Sequence, residues 1–276
     1  MFLSLYKRTG FFTLLLASLL MAVVGCSPQA AQPPAAEPAP QQAQTPASEI
    51  ELMVSAAASL TDALNEIKPL FEQQHQGVKL TYILGSSGKL ATQIEQGAPS
   101  DLFLSASKKD MDTLEEKQLI LKESRSDFTK NELVLVVGKD SPLSVSSFEE
   151  LGSDSIKHLA VGQPDSVPAG RYAKEALEHL KLWEPVSAKL VFGSDVRQVL
   201  TFVESGNAEA GIVYGSDAAT SEKVKVVATA NADWHKPIVY PGAVIASSQH
   251  QDVAQAFLSF LLSDQGKEIL QKYGFR

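Results

Sequence analysis

The sequence predicts an α/β fold built mainly on parallel sheet, and two observations predict it. Short apolar runs of strand length alternate with segments whose apolar residues recur every three to four positions. One of those runs, Leu133 to Val137, is apolar throughout and rich in β-branched residues, the pattern of a central strand.

Taken in order, Ile50 to Ala57 reads as a strand. Leu60 to Gln74 reads as a helix with Leu60, Leu64, Ile67 and Phe71 on one face. Lys79 to Leu84 is a strand, and Leu90 to Glu95 is a helix stopped by Gly97. Leu102 to Ser105 is a strand followed by a helix around Met111 to Lys117. Leu133 to Val137, Leu159 to Val161, Lys189 to Phe192, Gly211 to Val213 and Val224 to Val227 repeat the strand pattern. The chain closes on a strand at Ala243 to Ala246 and one long helix from Asp252 to about Tyr273.

Ahead of this region the composition changes twice. Lys7 and Arg8 precede an uncharged apolar run from Phe11 to Val24, and Gly25-Cys26 follows at once. The run is shorter than the roughly 20 residues of a comfortable membrane span, so 1–25 reads as an export signal. Cys26 is the only cysteine, which leaves no intrachain disulfide in an exported chain. Residues 26–48 are dominated by Pro, Ala and Gln and cannot bury a core; they read as a disordered tether.

The formal charge is −8, and becomes −10 once the two cations Lys7 and Arg8 leave with the signal. Such a surface argues against nucleic acid, which favours a basic face. Any anion must then be held by local dipoles against the overall field.

Five strand-to-helix junctions carry the chemistry: Ser55 to Asp62, Gly85-Ser86-Ser87-Gly88-Lys89, Pro168-Ala169-Gly170-Arg171, Ser194-Asp195-Val196-Arg197 and Val213 to Asp217. Small residues leave the backbone open there. In the first, Ser59 is placed as an N-cap and Asp62 completes a capping-box pattern; in the third, Pro168 presets a helix start. A helix start offers unpaired N–H donors and a partial positive charge, and ligands of open α/β sheets bind where such loops lie. Lys89, Arg171 and Arg197 lie close enough in sequence to clamp an anion or to pair with carboxylates. From periodicity and junctions alone the reading stops at an α/β protein with a possible anion site.

Other chemistries lack support. Gly88-Lys89 is without the spacing and the following Ser/Thr of a P-loop, and no G-x-S-x-G elbow occurs. His75, His158, His179, His235 and His250 show no metal spacing. No histidine or carboxylate accompanies Ser59 or Ser87 as a base for an oxyanion-handling hydrolase, and no catalytic role is expected.

Two resemblances sharpen the picture. Val23-Val24-Gly25-Cys26 resembles the lipobox of bacterial lipoproteins, which implies lipidation of Cys26 and anchoring on the outer side of the cell membrane. Ala56 to Ala63, Gly85 to Ala91, Gln93 to Ala106, Val161-Gly162 through Gly170, Tyr172 to Leu177, Asp195-Val196-Arg197 and Gly211 to Ala218 resemble, in order, the motifs of periplasmic molybdate-binding proteins. This resemblance implies a type II periplasmic-binding fold of two α/β lobes with a ligand cleft and two crossing strands. It implies lobes at 49–130 plus 238–276 and at 131–237, with crossings near Leu133 to Val137 and Ile238 to Ala246. It further implies molybdate or tungstate as ligand with no cofactor, bound by the Ser59 and Ser87 hydroxyls, the backbone N–H groups of Ala169 and Val196, and the Tyr214 hydroxyl. Ser86 is an additional candidate, since Gly88-Lys89 stand where the family often has serine and threonine. Implied partners are an ABC permease with its ATPase subunits, and the protein itself is expected to be a monomer. Sulfate, thiosulfate or phosphate binding on the same fold is the alternative.

Overall fold

The computed structural model describes residues 49–276. The signal 1–25, Cys26 and the tether 26–48 lie outside the described residues. The strands are β1 (Ile50–Ala57), β2 (Val78–Gly85), β3 (Leu102–Leu104), β4 (Ser126–Lys130), β5 (Leu133–Gly138), β6 (Leu159–Gly162), β7 (Leu190–Gly193), β8 (Ala210–Tyr214), β9 (Val224–Thr229) and β10 (Val239–Val244). The helices are α1 (Thr61–Gln74), α2 (Ser87–Glu95), α3 (Lys108–Glu116), α4 (Pro168–His179), α5 (Trp183–Val186), α6 (Val196–Glu204), α7 (Gly215–Ala219), α8 (Gln251–Leu262) and α9 (Asp264–Lys272).

The strands form two five-stranded sheets, ordered β2-β1-β3-β10-β4 and β7-β6-β8-β5-β9. In each, three strands are parallel and end at the cleft: β2, β1 and β3 in one, β7, β6 and β8 in the other. The remaining two follow from the chain passing twice between lobes. β4 and β9 run out toward the cleft and leave their sheets there. β5 and β10 arrive from the opposite lobe, enter their sheets at the cleft end, and so run antiparallel to both neighbours. The sheets, expected to be mainly parallel, are therefore mixed, and the antiparallel strand of each marks where the chain crosses.

The crossings fall immediately ahead of β5 and β10, next to the stretches expected to carry them. Leu133 to Val137 lies wholly inside the second sheet, because a run apolar on both faces needs helices on both sides. The chain changes lobe at Asn131-Glu132 and again between Thr229 and Val239. The two connections lie side by side, joined by a bond from Asn131 N–H to the Ile238 carbonyl of 3.1 Å.

Three element readings are corrected. β10 covers Val239 to Val244 instead of starting at Ala243, since Pro241-Gly242 imitates a turn; the strand tolerates Pro241 through a register shift after Tyr240. The single C-terminal helix is two helices, broken where Ser263 turns extended and its hydroxyl accepts from Gly266 N–H at 3.2 Å, capping α9. β4 joins the list of strands, its sequence Ser-Asp-Phe-Thr-Lys being too polar for the periodicity to register.

The core is continuous with this layering. α1 and α8 cover the first sheet, with Phe71 and Phe257 meeting edge to face at 4.9 Å. α4 and α6 cover the second with Ala173, Ala176, Leu177, Val199 and Val203, all fully or almost fully buried. Among the described residues no helix is long and apolar enough to cross a membrane.

Candidate functional site

The five junctions converge on one small, tightly closed cavity between the lobes. Ala57 to Ser59 and Gly85 to Ser87 line it from the first lobe, Val167 to Ala169, Val196 and Tyr214 from the second. Thus Ser59, Ser86, Ser87, Ala169, Val196 and Tyr214 all meet there. No carboxylate, ammonium or imidazole lines the cavity, and the described residues contain no His/Cys/Asp/Glu cluster suited to a metal ion. Its polar side chains are the hydroxyls of Ser59, Ser86, Ser87 and Tyr214.

Local sequence explains how each group arrives. α2 starts at Ser87 with no side-chain cap. α4 starts at Pro168, whose missing N–H costs nothing at that position, and Ala169 follows, again without a side-chain cap. α6 starts at Val196, with the Asp195 carboxylate accepting from Gln198 N–H at 2.9 Å rather than from Val196. Three helix starts therefore face one cavity, each contributing N–H groups and a partial positive charge.

Two hydroxyls there have no partner. Ser86 Oγ and the Tyr214 hydroxyl are buried, at 4% and 1% residue exposure, and bond to no other group. An unpaired buried hydroxyl costs on the order of 1–3 kcal/mol, so two in one cavity point to a ligand that accepts from both. Burial raises the Tyr214 hydroxyl well above its usual range, so it keeps its proton and donates. Ser87 Oγ accepts from Ala106 N–H at 2.9 Å, which leaves its single proton to give.

The first junction departs from its expected form. Ser59 caps no helix: it sits in a 3₁₀ turn, Ala58–Leu60, and its Oγ lies 2.8 Å from the Tyr240 hydroxyl. Asp62, read as part of a capping box, instead pairs with Arg197 across the cleft. The capping pattern fails because both side chains find tertiary partners.

The basic residues near the junctions do not reach the cavity. Lys89 is exposed. Arg171 pairs across the cleft with Asp110, and Arg197 with Asp62. Arg197 Nε also lies 2.8 Å from Asp217 Oδ1, an ion pair in distance though not aligned as a hydrogen bond. Asp217 is fully buried, and burial pushes its carboxyl up to about 7 against the lowering effect of Arg197. Gly88 explains its own residue type: its N–H donates to the Ser166 carbonyl of the other lobe at 3.0 Å, and a Cβ there would lie 2.5 Å from that oxygen. The lobes touch at this point.

Sequence reasoning missed Asn131, Tyr240 and the Asp62–Arg197–Asp217 cluster. Asn131 lies in a two-residue connection without periodicity, and the adjoining Pro241-Gly242 hides Tyr240 in an apparent turn. Asp217 was visible only as part of the fifth junction.

Two α/β lobes closing on a cavity of hydroxyl and helix-start donors define a solute-binding protein of the type II periplasmic-binding fold. The chain belongs to the bacterial extracellular solute-binding protein family, whose profile matches residues 52–276, and is an extracytoplasmic substrate-binding protein. It is 41% identical over 98% of its length, and 99% of the relative's, to YvgL of Bacillus subtilis, named provisionally as an ABC transporter substrate-binding lipoprotein. It is 43% identical to the molybdate-binding protein ModA of Escherichia coli, covering 83% of this chain and 90% of that one. The structure of the Azotobacter vinelandii periplasmic molybdate-binding protein superposes with a TM-score of 0.74 at 24% identity, over 82% of this chain and 98% of that chain, and so shares the fold.

Proposed function

We propose that this chain captures molybdate, or tungstate, outside the cytoplasm and delivers it to an ABC importer, acting as a monomer without catalysis of its own. The observation that carries this reading is the pair of unpartnered hydroxyls, Ser86 and Tyr214, facing one neutral cavity from opposite lobes. A tetrahedral dianion accepts from all sides and needs no counter-charge where oriented donors surround it. Bonds from neutral donors to a charged acceptor contribute about 1.5–3 kcal/mol each. With donors from both lobes, the bound anion stabilises the closed form, a surface that a permease can distinguish from the open one. Ser59, Ser86, Ser87 and Tyr214 supply hydroxyls, and Ala169 and Val196 supply N–H groups. The lobes assigned here are 49–130 with 238–276, and 131–237.

Lipidation of Cys26 would hold the protein at the membrane surface, and the similarity to the provisionally named lipoprotein over 98% of this chain supports that anchor. Calorimetry of the soluble part is expected to show tight molybdate and tungstate binding and weak sulfate and phosphate binding. Tight sulfate binding with no molybdate response would remove the assignment. Ser87→Ala should weaken molybdate binding by about 1–3 kcal/mol, the loss of one donor to a charged group; an unchanged titration curve would transfer its role to Ser86.

A further inference from the structure

The direction of one hydrogen-bond chain beneath the cavity can be deduced from its far end. Asn131, at the first crossing between lobes, has its Oδ1 against two backbone donors, Glu132 N–H at 2.9 Å and Ser216 N–H at 3.4 Å. Two N–H groups can be met only by the amide oxygen, so the orientation of the side-chain amide is determined. Its Nδ2, which only donates, then faces Ser216 Oγ at 2.8 Å and the Tyr240 hydroxyl at 3.3 Å. The Tyr240 oxygen is therefore an acceptor from Asn131. Burial raises the Tyr240 hydroxyl far above its usual range, so it keeps its one proton, and the acceptor within reach is Ser59 Oγ at 2.8 Å. Ser59 Oγ thus accepts a hydrogen bond from the Tyr240 hydroxyl, and its own hydroxyl proton is left for the cavity it lines.

We propose that Asn131 and Tyr240 are positioning residues that make Ser59 an obligate donor to the bound oxyanion, and that this polarity favours fully deprotonated dianions over ones that carry a proton. The proposal rests on the oxyanion reading above and deepens it. An anion such as hydrogenphosphate must donate its proton to something, and a serine held in this sense offers its hydrogen where an acceptor is needed. The relay also spans the hinge: Asn131 lies in the connection, Tyr240 on β10 of the first lobe and Ser216 on α7 of the second. The polarity at Ser59 is thus set from both lobes.

A double-mutant cycle tests it, using calorimetric titration of molybdate and competition by hydrogenphosphate. Ser59→Ala should lower molybdate affinity about ten- to a hundredfold, and Tyr240→Phe, which keeps the ring, about three- to tenfold. Because Tyr240 acts through Ser59, Tyr240→Phe should have little further effect in the Ser59→Ala background. Tyr240→Phe should also narrow the preference for molybdate over hydrogenphosphate, since Ser59 can then rotate and accept. Additive losses, or an unchanged preference, would overturn the relay while leaving the site intact. No molybdate binding by the unmodified chain, or no loss in Ser59→Ala, would overturn the site reading and the relay with it. Should Tyr240→Phe fail to fold, Asn131→Asp replaces it. A carboxylate cannot donate to Tyr240, and the loss it causes should be smaller in the Ser59→Ala background than in the unmodified chain. Equal losses in both would overturn the relay.

Discussion

Replacing Gly170 with alanine is expected to destabilise the protein by about 3 kcal/mol or more and to abolish tight anion binding. Gly170 lies in the first turn of α4, and its backbone packs against Gly162 at the end of β6. A Cβ at Gly170 would overlap the carbonyl oxygen of Gly162 and lie 2.5 Å from its carbon. Those atoms are backbone, so no side chain can swing aside, and either the strand end or the helix start must move. Overpacking of a well-filled site usually costs about 1–3 kcal/mol, and backbone displacement puts this case at or beyond the upper end. The same shift carries Ala169, whose N–H is one of the proposed donors. Urea denaturation and molybdate titration of Gly170→Ala measure the two effects. Unchanged stability would show that α4 and β6 are less tightly joined than their packing indicates. Unchanged affinity would remove the start of α4 from the site.

Replacing Arg197 with glutamine is expected to produce a loss that depends on pH. Arg197 is the counter-charge of the fully buried Asp217 and the partner of Asp62 across the cleft. Taking one partner from a buried ion pair typically costs about 3–5 kcal/mol, because the other charge is left without compensation. Asp217 already has its carboxyl raised from 3.8 to about 7. Between those values the folded chain binds more protons than the unfolded one. The contribution of Asp217 to stability is therefore complete below the lower value and is lost as pH rises through about 7. Without Arg197 the carboxyl should rise further, and the variant can escape the cost only by protonating it. Urea unfolding should accordingly show the larger loss at pH 8 and a smaller one at pH 6. Equal losses at the two pH values would assign the effect to packing or to Asp62. Molybdate affinity should also fall, since Arg197 is one of two arginines joining the lobes when closed.

The two variants separate what local sequence carries from what the assembled lobes add. Helix starts are local: Pro168, Asp195 and the small residues of the junctions are legible from residue type, because capping and φ preference act within a few residues. Nine of the ten strands and the helices α1, α2 and α3 are legible from periodicity, since burial imposes its period on the chain. The failures lie where a local signal met a tertiary partner. Ser59 and Asp62 have the pattern of a capping box but bond instead to Tyr240 and Arg197, at separations of 181 and 135 residues. Pro241-Gly242 has the pattern of a turn but lies in a strand held from both sides.

By itself the sequence determined the alternation of strands and helices, the acidic balance of charge, and the junctions where N–H donors would stand free. The tertiary structure decided that these junctions meet in one cavity, that the nearby arginines are engaged by carboxylates, and that Ser86 and Tyr214 are left unpaired. The physical reason is range. Propensity and capping act over one turn of helix, whereas the direction of the Ser59 hydroxyl is set by Tyr240 and Asn131, which only the folded chain brings to its side.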